Sequence, residues 1–579
     1  MSAKLDPIVL ELIHSKVTSI IEEMRIVLFH SGYSTVLRES EDGSAGLLDA
    51  ELRTVAVSKK LPLHFGSFSA IAEHLPHYYK REELEEGDII VFNHPYAGNV
   101  THPNDTVLLM PVFANRQLVA FTGTLAHKAD LGGPRAATLA QDLWEEGLVI
   151  PPTKLYVRGQ VNPEIERFIA ANSRIPVETL GDLRGQVAAC RVGAQRMQEL
   201  CSRFGIDTVR DGCGELMTRV AAQLRDSLAA MPDGRHEAEG LLDHDGISHD
   251  RPRRVHVAVE KNGQAILFDF SGSDDQARGP VNVTSALIKN TCYFGLMAMT
   301  DASLPFNHGF VEVVQTKFKE GTIVCPRPGA PVSYYVPLAY LTADVVLHAL
   351  GKFNPERAVG SSGGGGGVRI TSGGKSGKPW VFMELLDTAL GASSQQDGVS
   401  LIHGTLGVGQ FRPGPIEIHE TEFPMRVVRF DVRTDSGGPG KFRGGLGCTR
   451  EYQLLEDAAV RVRGKGDMRS KFPPWGVLGG KPARTGFYAV NGKELAETVR
   501  EAPLRPGDIV QVNMNAGGGY GDPLDRDPEL VLGDLLDGYV SIEGAREDYG
   551  VVVRPEELTI DWEATGKLRK RRTADNPSR

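Results

Sequence analysis

The stretch NHPYAGNVTHPNDTVLLMPVF, residues 93–113, crowds His102 and Asp105 just ahead of an apolar run. Imidazole nitrogen and carboxylate oxygen together suit zinc, iron or manganese. Neutral imidazoles with one or two carboxylates compensate a divalent cation, and an open position leaves room for water or substrate. The alternative is a polar loop whose histidines are satisfied by backbone groups. The rest of the chain must supply the remaining ligands.

The elements around this stretch bear on that choice. IIVF from Ile89 reads as a strand. TVLLMPVF and QLVAFTGTL read as two more, joined by ANR into a hairpin whose tip lies near Asn115. Such a hairpin sets the start of one strand beside the end of the other, so Asp105 and His127 should be neighbours, with His102 in the same approach loop. A further carboxylate is available upstream in RESEDGSAGLLDAELRTVAVS, as Glu39, Glu41, Asp42 or Asp49. Asp42 edges a strand and Asp49 sits in the turn LDAELR. Spacing alone does not join either to residue 102.

The other elements frame these segments. Asp6 caps a helix that Pro7 starts, and Val9, Ile13, Val17, Ile20, Met24 and Val27 recur at helical spacing up to Gly32. Residues 62–84 read as helical, interrupted near Pro76. Residues 159–235 form long paired helices. ALIKNTCYFGLMAMT and SYYVPLAYLTADVVLHALGKF have helical potential. From about residue 410 the chain turns strand-rich, with IEIHE, MRVVRFDVR, CTREYQLL, AAVRVRG, GFYAVNG and DIVQVNM, separated by the turns DSGGPGKFRGG and NAGGGYGDP. The expected fold is α+β and multidomain, with mixed sheets and long helices. It divides into an N-terminal helical and metal-site region (1–240), a central α+β region (241–405) and a strand-rich C-terminal region (406–579).

Composition excludes several classes. At 579 residues the chain is too long for one core. A net charge of -10 disfavours general nucleic-acid binding. Six sparse cysteines without C-x-x-C spacing argue against a disulfide scaffold or a thiolate-rich zinc site. No basic-then-apolar leader and no run of 18 apolar residues occur, so a cytoplasmic protein with no membrane span is expected. Glycine is abundant, at 66 residues, which implies many turns and close backbone approaches.

Other candidates carry weaker signals. Arg443, Gly444 and Gly445 in KFRGG suit a tight turn or an anion contact. GGGYGDP, residues 517–523, suits a turn. Gly363–Gly367 suits a ligand cradle or a flexible crossing, but lacks the G-K-[ST] of a phosphate loop. Ser361 and Ser362 do not form G-x-S-x-G. His348 and Cys292 read as structural. Arg461, Arg463, Lys465 and Arg469 form a basic stretch that suits phosphate or a solvated edge. Trp144, in QDLWEEGLVIPPTKL, suits either a cavity mouth or helix packing.

LLDAELRTVA, GDIIVFNHPYAGNVTHPNDTVLLMPVF and LAHKADLGG resemble the hydantoinase B family, as do the later DFSGS, EFPMRVVRFDVRTDSGGPGKFRGGLGCTREYQLL and AGGGYGDP. That family includes subunits of ATP-dependent hydantoinases, 5-oxoprolinases, caprolactamase and ketone carboxylases. The resemblance spans most of the chain and is weak for substrate. It implies a metal site of Asp42, His102, Asp105 and His127, holding zinc, with manganese or iron as alternatives. His127 and Asp130 are the implied catalytic positions, Asp130 by orienting a ligand imidazole. Lys128 stands where a histidine is common, and it is not assigned to the metal.

No ATP module is recognisable, so the resemblance implies a hetero-oligomer with a HyuA-like ATP-binding partner that phosphorylates the substrate. The implied reaction is opening of a cyclic amide such as a lactam, hydantoin or oxoproline. Two alternatives are ATP-dependent carboxylation of a ketone and a non-catalytic scaffold or regulatory role.

Overall fold

The computed structural model describes residues 5–58, 61–133, 139–373, 378–408, 411–462, 465–496 and 501–574. It has a mixed helix and sheet architecture with several sheets. The first helix, α1 (Pro7–His30), begins where expected, with the Asp6 carboxylate accepting the Ile8 N–H at 2.8 Å.

The sheet that carries the opening stretch has seven strands: β1 (Gly43–Asp49), β2 (Thr54–Val57), β3 (Ile89–Phe92), β4 (Asp105–Ala114), β5 (Gln117–His127), β6 (Thr153–Val157) and β7 (Gln160–Val161). Their order is β2-β1-β5-β4-β3-β6-β7. Every pairing is antiparallel. β4 and β5 meet at Ala114↔Gln117, and the two residues between, Asn115 and Arg116, have φ of 49° and 65°. Positive φ at both turn residues matches the right-handed twist of the strands, and a bulge between Val112 and Phe113 then shifts the register by one residue.

Both faces of this sheet are covered, and so the strands are apolar almost throughout rather than alternating. On one face Leu47, Val55, Val112 and Ala120 pack with Ile13, Val17 and Met24 of α1 and with the long helix Pro176–Phe204. On the other, Leu48, Leu109, Phe121 and Leu125 join a cluster that reaches the helices Ser285–Met299 and Val336–Gly351. Gly46 and Gly123 are opposed across the β1–β5 pair. The Phe68 ring lies so close that a Cβ on either glycine would sit 2.6 or 2.7 Å from it.

The later chain forms further sheets, of which one has five strands, from Met425–Val432 to Lys493–Glu494. IEIHE is not a strand. It begins the helix Ile416–Glu422, in which His419 is buried. Its alternation imitates a strand, but Pro415 starts a helical turn there that drives His419 into the Glu384 carboxylate at 3.0 Å.

The glycine-rich segments are also not the turns expected of them. They interleave as a buried backbone stack. Gly518 N donates to Ser361 O, Gly517 N to Gly445 O, Gly445 N to Leu390 O and Gly360 N to Ala392 O, at 2.8–3.0 Å. No side chain fits between them. A Cβ on Gly444 would sit 1.8 Å from Gly517 O, and one on Gly517 would sit 2.0 Å from Leu390 O. Arg443, beside this stack, is buried on Asp534 at 3.3 Å and lies over the Tyr539 ring, so its charge is used structurally.

Gly444→Ala or Gly517→Ala is therefore expected to cost about 3 kcal/mol or more, because the clash is with backbone that cannot rotate away. Gly566→Ala, in the helix Trp562–Ala574 with no atom within 4 Å of the new Cβ, should be neutral or stabilising by about 0.5–1 kcal/mol. Urea midpoints of the three variants check this. Equal midpoints would remove the stack from the account.

Candidate metal centre

The hairpin register opposes Asp105 to His127 as its last pair, as the strand reading expects. His102 reaches the same point from the turn before β4. Its carbonyl accepts the Asp105 N–H at 3.0 Å. His127 Nδ1 lies 2.9 Å from Asp105 Oδ1, His102 Nε2 lies 3.2 Å from the same oxygen, and the two ring nitrogens are 3.2 Å apart. Among the described residues these three side chains form a group able to hold a metal ion. Asp42 Oδ2 stands 3.9 Å from His127 Nδ1, at the edge of the group. The main chain brings it there, because the His127 N–H donates to Asp42 O at 3.0 Å.

The other upstream carboxylates are used elsewhere. Glu39 pairs with Arg38 and Glu41 with Arg25. Asp49 closes its own turn by accepting from the Glu51 and Arg53 N–H groups.

Further contacts hold the approach loop. Asn93 Nδ2 donates to Pro103 O at 2.6 Å and to Leu148 O at 2.9 Å. Asn104 Nδ2 donates to Lys128 O at 2.8 Å, and Lys128 N returns a bond to Asn104 O at 2.8 Å. The Thr101 hydroxyl donates to Asp105 Oδ2. The Tyr335 ring meets His102 edge-on, with centroids 4.9 Å apart.

The donor set fits a cation. Atoms about 2.1 Å from a tetrahedral ion stand about 3.4 Å from one another, close to the separations here. The electrostatics agree. Burial opposes ionisation of Asp105, but the two imidazoles outweigh it and hold that carboxyl well below the ordinary carboxylate range. Burial, with Asp105 alongside, pushes Asp42 well above it. Burial also lowers His127, which favours the neutral ligand form. Two buried carboxylates this close cannot both stay charged without a cation. His102 Nδ1 is buried with no hydrogen-bond partner.

Asp130 does not orient a ligand imidazole. Its carboxylate accepts from Arg174 N at 2.6 Å, from the Arg174 guanidinium, and from Arg369 Nη2 at 3.1 Å. Two guanidiniums outcompete a neutral ring for one carboxylate. Lys128 is wholly buried, away from the cluster's open side. Its Nζ donates to Gln186 Oε1 at 2.6 Å, and burial lowers its pKa to about 8.

Asp42, His102 and His127 form one wall of a cavity of about 90 Å³, which Glu146, Tyr335 and Arg369 also line. Gly366 and Gly367 reach it from the end of the glycine run. Sequence reasoning passed over Glu146, Tyr335 and Arg369. It singled out Trp144 instead, which is 76% exposed and packs on Gly329, whereas Glu146 two residues on points inward. Of the basic stretch, Arg461 lines the cavity and Arg469 is buried on Ser361 Oγ at 2.8 Å. Arg463 lies outside the described residues. Ser361 and Ser362 serve Asp344, and His348 meets Trp475 edge-on. Cys292 is buried, which raises its pKa well above the usual thiol range.

Comparison with known proteins places the chain in a family. The family model described as Hydantoinase B/oxoprolinase matches residues 6–523. The chain belongs to this family. It is 31% identical to the B component of a D-/L-hydantoinase, described as putative, from a Pseudomonas species, over 98% of each chain. It is 31% identical to the beta chain of the caprolactamase of Pseudomonas jessenii, over 95% of this chain and 96% of that one. The crystal structure of the ATP-dependent caprolactamase from that organism superposes with a TM-score of 0.91 at 28% identity, covering 98% of this chain and 100% of that one. Among the described residues no helix is long and apolar enough to cross a membrane.

The far wall of the cavity yields a test. Glu384 lines it and accepts from His419 Nε2, the Tyr452 hydroxyl and Gly414 N. Nearby, burial and the Glu384 charge push the Asp387 carboxyl up to about 7. The native state then keeps a proton that the unfolded chain has released. That contribution is complete below the ordinary carboxylate value and is lost as the pH rises through about 7. Asp387→Asn should gain stability relative to the native sequence between about pH 5 and about pH 8.5. Urea midpoints at the two values check this, and a difference independent of pH would contradict it.

Proposed function

We propose that this hydantoinase B family protein is the metal-binding component of an ATP-dependent cyclic amide hydrolase. It acts in a hetero-oligomer with a HyuA-like, ATP-binding partner that phosphorylates the amide oxygen. The observation that carries the reading is the convergence of His102 Nε2, Asp105 Oδ1 and His127 Nδ1, with Asp42 at its edge, beside a cavity that Asp42, His102 and His127 line. The hydantoinase and caprolactamase components it is similar to support the reaction class.

Asp42, His102, Asp105 and His127 would hold a divalent cation, zinc before manganese or iron. Such an ion supplies Lewis acidity and makes water a better nucleophile at neutral pH. The chain's own contribution is positional. Asp105 and Asp42 balance the ion's charge, and Thr101 fixes the second Asp105 oxygen. Tyr335 packs edge-on against the His102 ring. Activation by the partner makes a poor electrophile reactive, and the narrow cavity keeps that electrophile from bulk water. A cytoplasmic location follows from dependence on ATP.

His102→Ala and Asp105→Asn should each lose bound metal and reduce ATP-dependent ring opening by at least about 100-fold in the reconstituted complex. Asn104→Ala removes one hydrogen bond, costs about 1 kcal/mol and should keep the metal. Chelation should lower the Tm of the native protein and leave that of His102→Ala unchanged. Full metal occupancy in both ligand variants would overturn the site. Incorporation of labelled bicarbonate into a ketone, without opening of any lactam, hydantoin or oxoproline, would overturn the reaction in favour of a carboxylase. Full turnover by the partner alone would reduce this chain to a scaffold.

A further inference from the structure

Glu146 is an unusual resident of the cavity. The residue is 5% exposed, and its Oε1 accepts both the Val332 and the Ser333 N–H at 2.6 Å. Oε2 is buried with no hydrogen-bond partner. The side chain lines the cavity that Asp42, His102 and His127 line. A buried carboxyl oxygen without a partner costs about 1–3 kcal/mol and calls for an explanation.

The framework gives the placement little freedom. Leu148 O, two residues on, accepts from Asn93 Nδ2, which also holds Pro103 of the approach loop. Residues 332 and 333 fix Oε1, and two residues further Tyr335 packs against His102. Both routes tie the segment carrying Glu146 to the metal-site loop, and its side chain lines the same cavity.

Resting on the ring-opening reading above, we infer that Glu146 is the general acid of the cavity, with Oε2 presenting a proton to the ring nitrogen that leaves. Water adds to the carbon of the O-phosphorylated amide, the C=N π pair moves to nitrogen, and nitrogen takes the Glu146 proton. The carboxylate left behind is held by the Val332 and Ser333 N–H groups. The proton lost by the attacking water passes to solvent, which reprotonates Glu146. The new hydroxyl then becomes the carbonyl by losing its proton to solvent as the C–N bond breaks. Nitrogen keeps the electron pair and takes a second proton from Glu146, and the acyl phosphate that remains is hydrolysed by another water to carboxylate and phosphate.

The charge environment suits this role. Burial pushes the carboxyl up to about 8, against the hydrogen bonds from Ser333 and Val332, and Asp142 on the same segment adds to the rise. Tyr96 faces it from the loop after β3, and Asp42, His102, His127 and Arg369 share the cavity. A cation at the metal centre draws the value back toward neutrality, the range in which a general acid works best.

Glu146→Gln keeps the shape and an acceptor for both N–H groups but has no proton to transfer. In the reconstituted complex, opening of a simple lactam should fall at least about 100-fold, with metal content unchanged and the alkaline limb of the pH profile lost. Hydantoin, whose ring nitrogen is a better leaving group, should lose less. An independent readout needs no substrate. The infrared difference spectrum of the native protein should show a protonated-carboxyl stretch that titrates near neutral pH and is absent from Glu146→Gln. Lactam opening within about threefold of native, with the same pH profile, would overturn the inference. So would the lack of any carboxyl band assignable to Glu146. If the native complex opens no cyclic amide while that band titrates, the hydrolase reading fails and the protonated carboxyl stands.

Discussion

Asp105 and His127 are opposed at the open end of a hairpin whose two-residue turn pairs Ala114 with Gln117 and whose bulge between Val112 and Phe113 shifts the register by one residue, without which Asp105 would face Ala126. A slip of one residue in either strand would turn that strand's candidate ligand to the other face of the sheet, away from its partner. The cluster depends on that pairing, and the surrounding contacts serve to deliver the remaining groups to it. The His127 N–H bond to Asp42 O brings in β1. The reciprocal Asn104–Lys128 bonds and the Asn93 clamp bring in the loop that carries His102. The sheet is covered on both faces, so the hairpin cannot shift without exposing Leu109, Phe121 and Val112.

This placement has an electrostatic cost. Two carboxylates and two imidazoles lie in a space that water barely reaches, and the acids divide, with Asp105 held below the ordinary carboxylate range by the imidazoles and Asp42 pushed above it by burial and by Asp105. A divalent cation resolves that division, because it compensates both carboxylates and takes the nitrogen lone pairs. The far wall is built by a different device. The glycine segments bring main chain against main chain, and their last members open onto the cavity beside Arg369 and Glu384. The site therefore lies where residues from widely separated parts of the chain meet.

The centre of this picture was legible in the sequence. Apolar strand runs around ANR imply the hairpin, and the hairpin implies that Asp105 and His127 meet. The Asp6–Pro7 helix start was equally plain. What escaped depends on tertiary contact. IEIHE alternates like a strand, yet its histidine is needed by Glu384. Glycines in DSGGPGKFRGG read as turns because sequence shows a missing Cβ and not the backbone that occupies its place. Asp130, three residues past His127, looked like a partner for it, but Arg174 and Arg369 claim both of its oxygens. Glu146 carries no local signal beyond a neighbouring tryptophan, and its role emerges only from two N–H groups nearly two hundred residues away.

The most direct measurement is anomalous diffraction from crystals of the native complex, recorded on both sides of the absorption edges of zinc, manganese and iron. The account predicts one strong peak in this chain, bounded by His102 Nε2, Asp105 Oδ1, His127 Nδ1 and Asp42 Oδ2. A metal-replete crystal with no peak there, or with its peak bound by other residues, would contradict it.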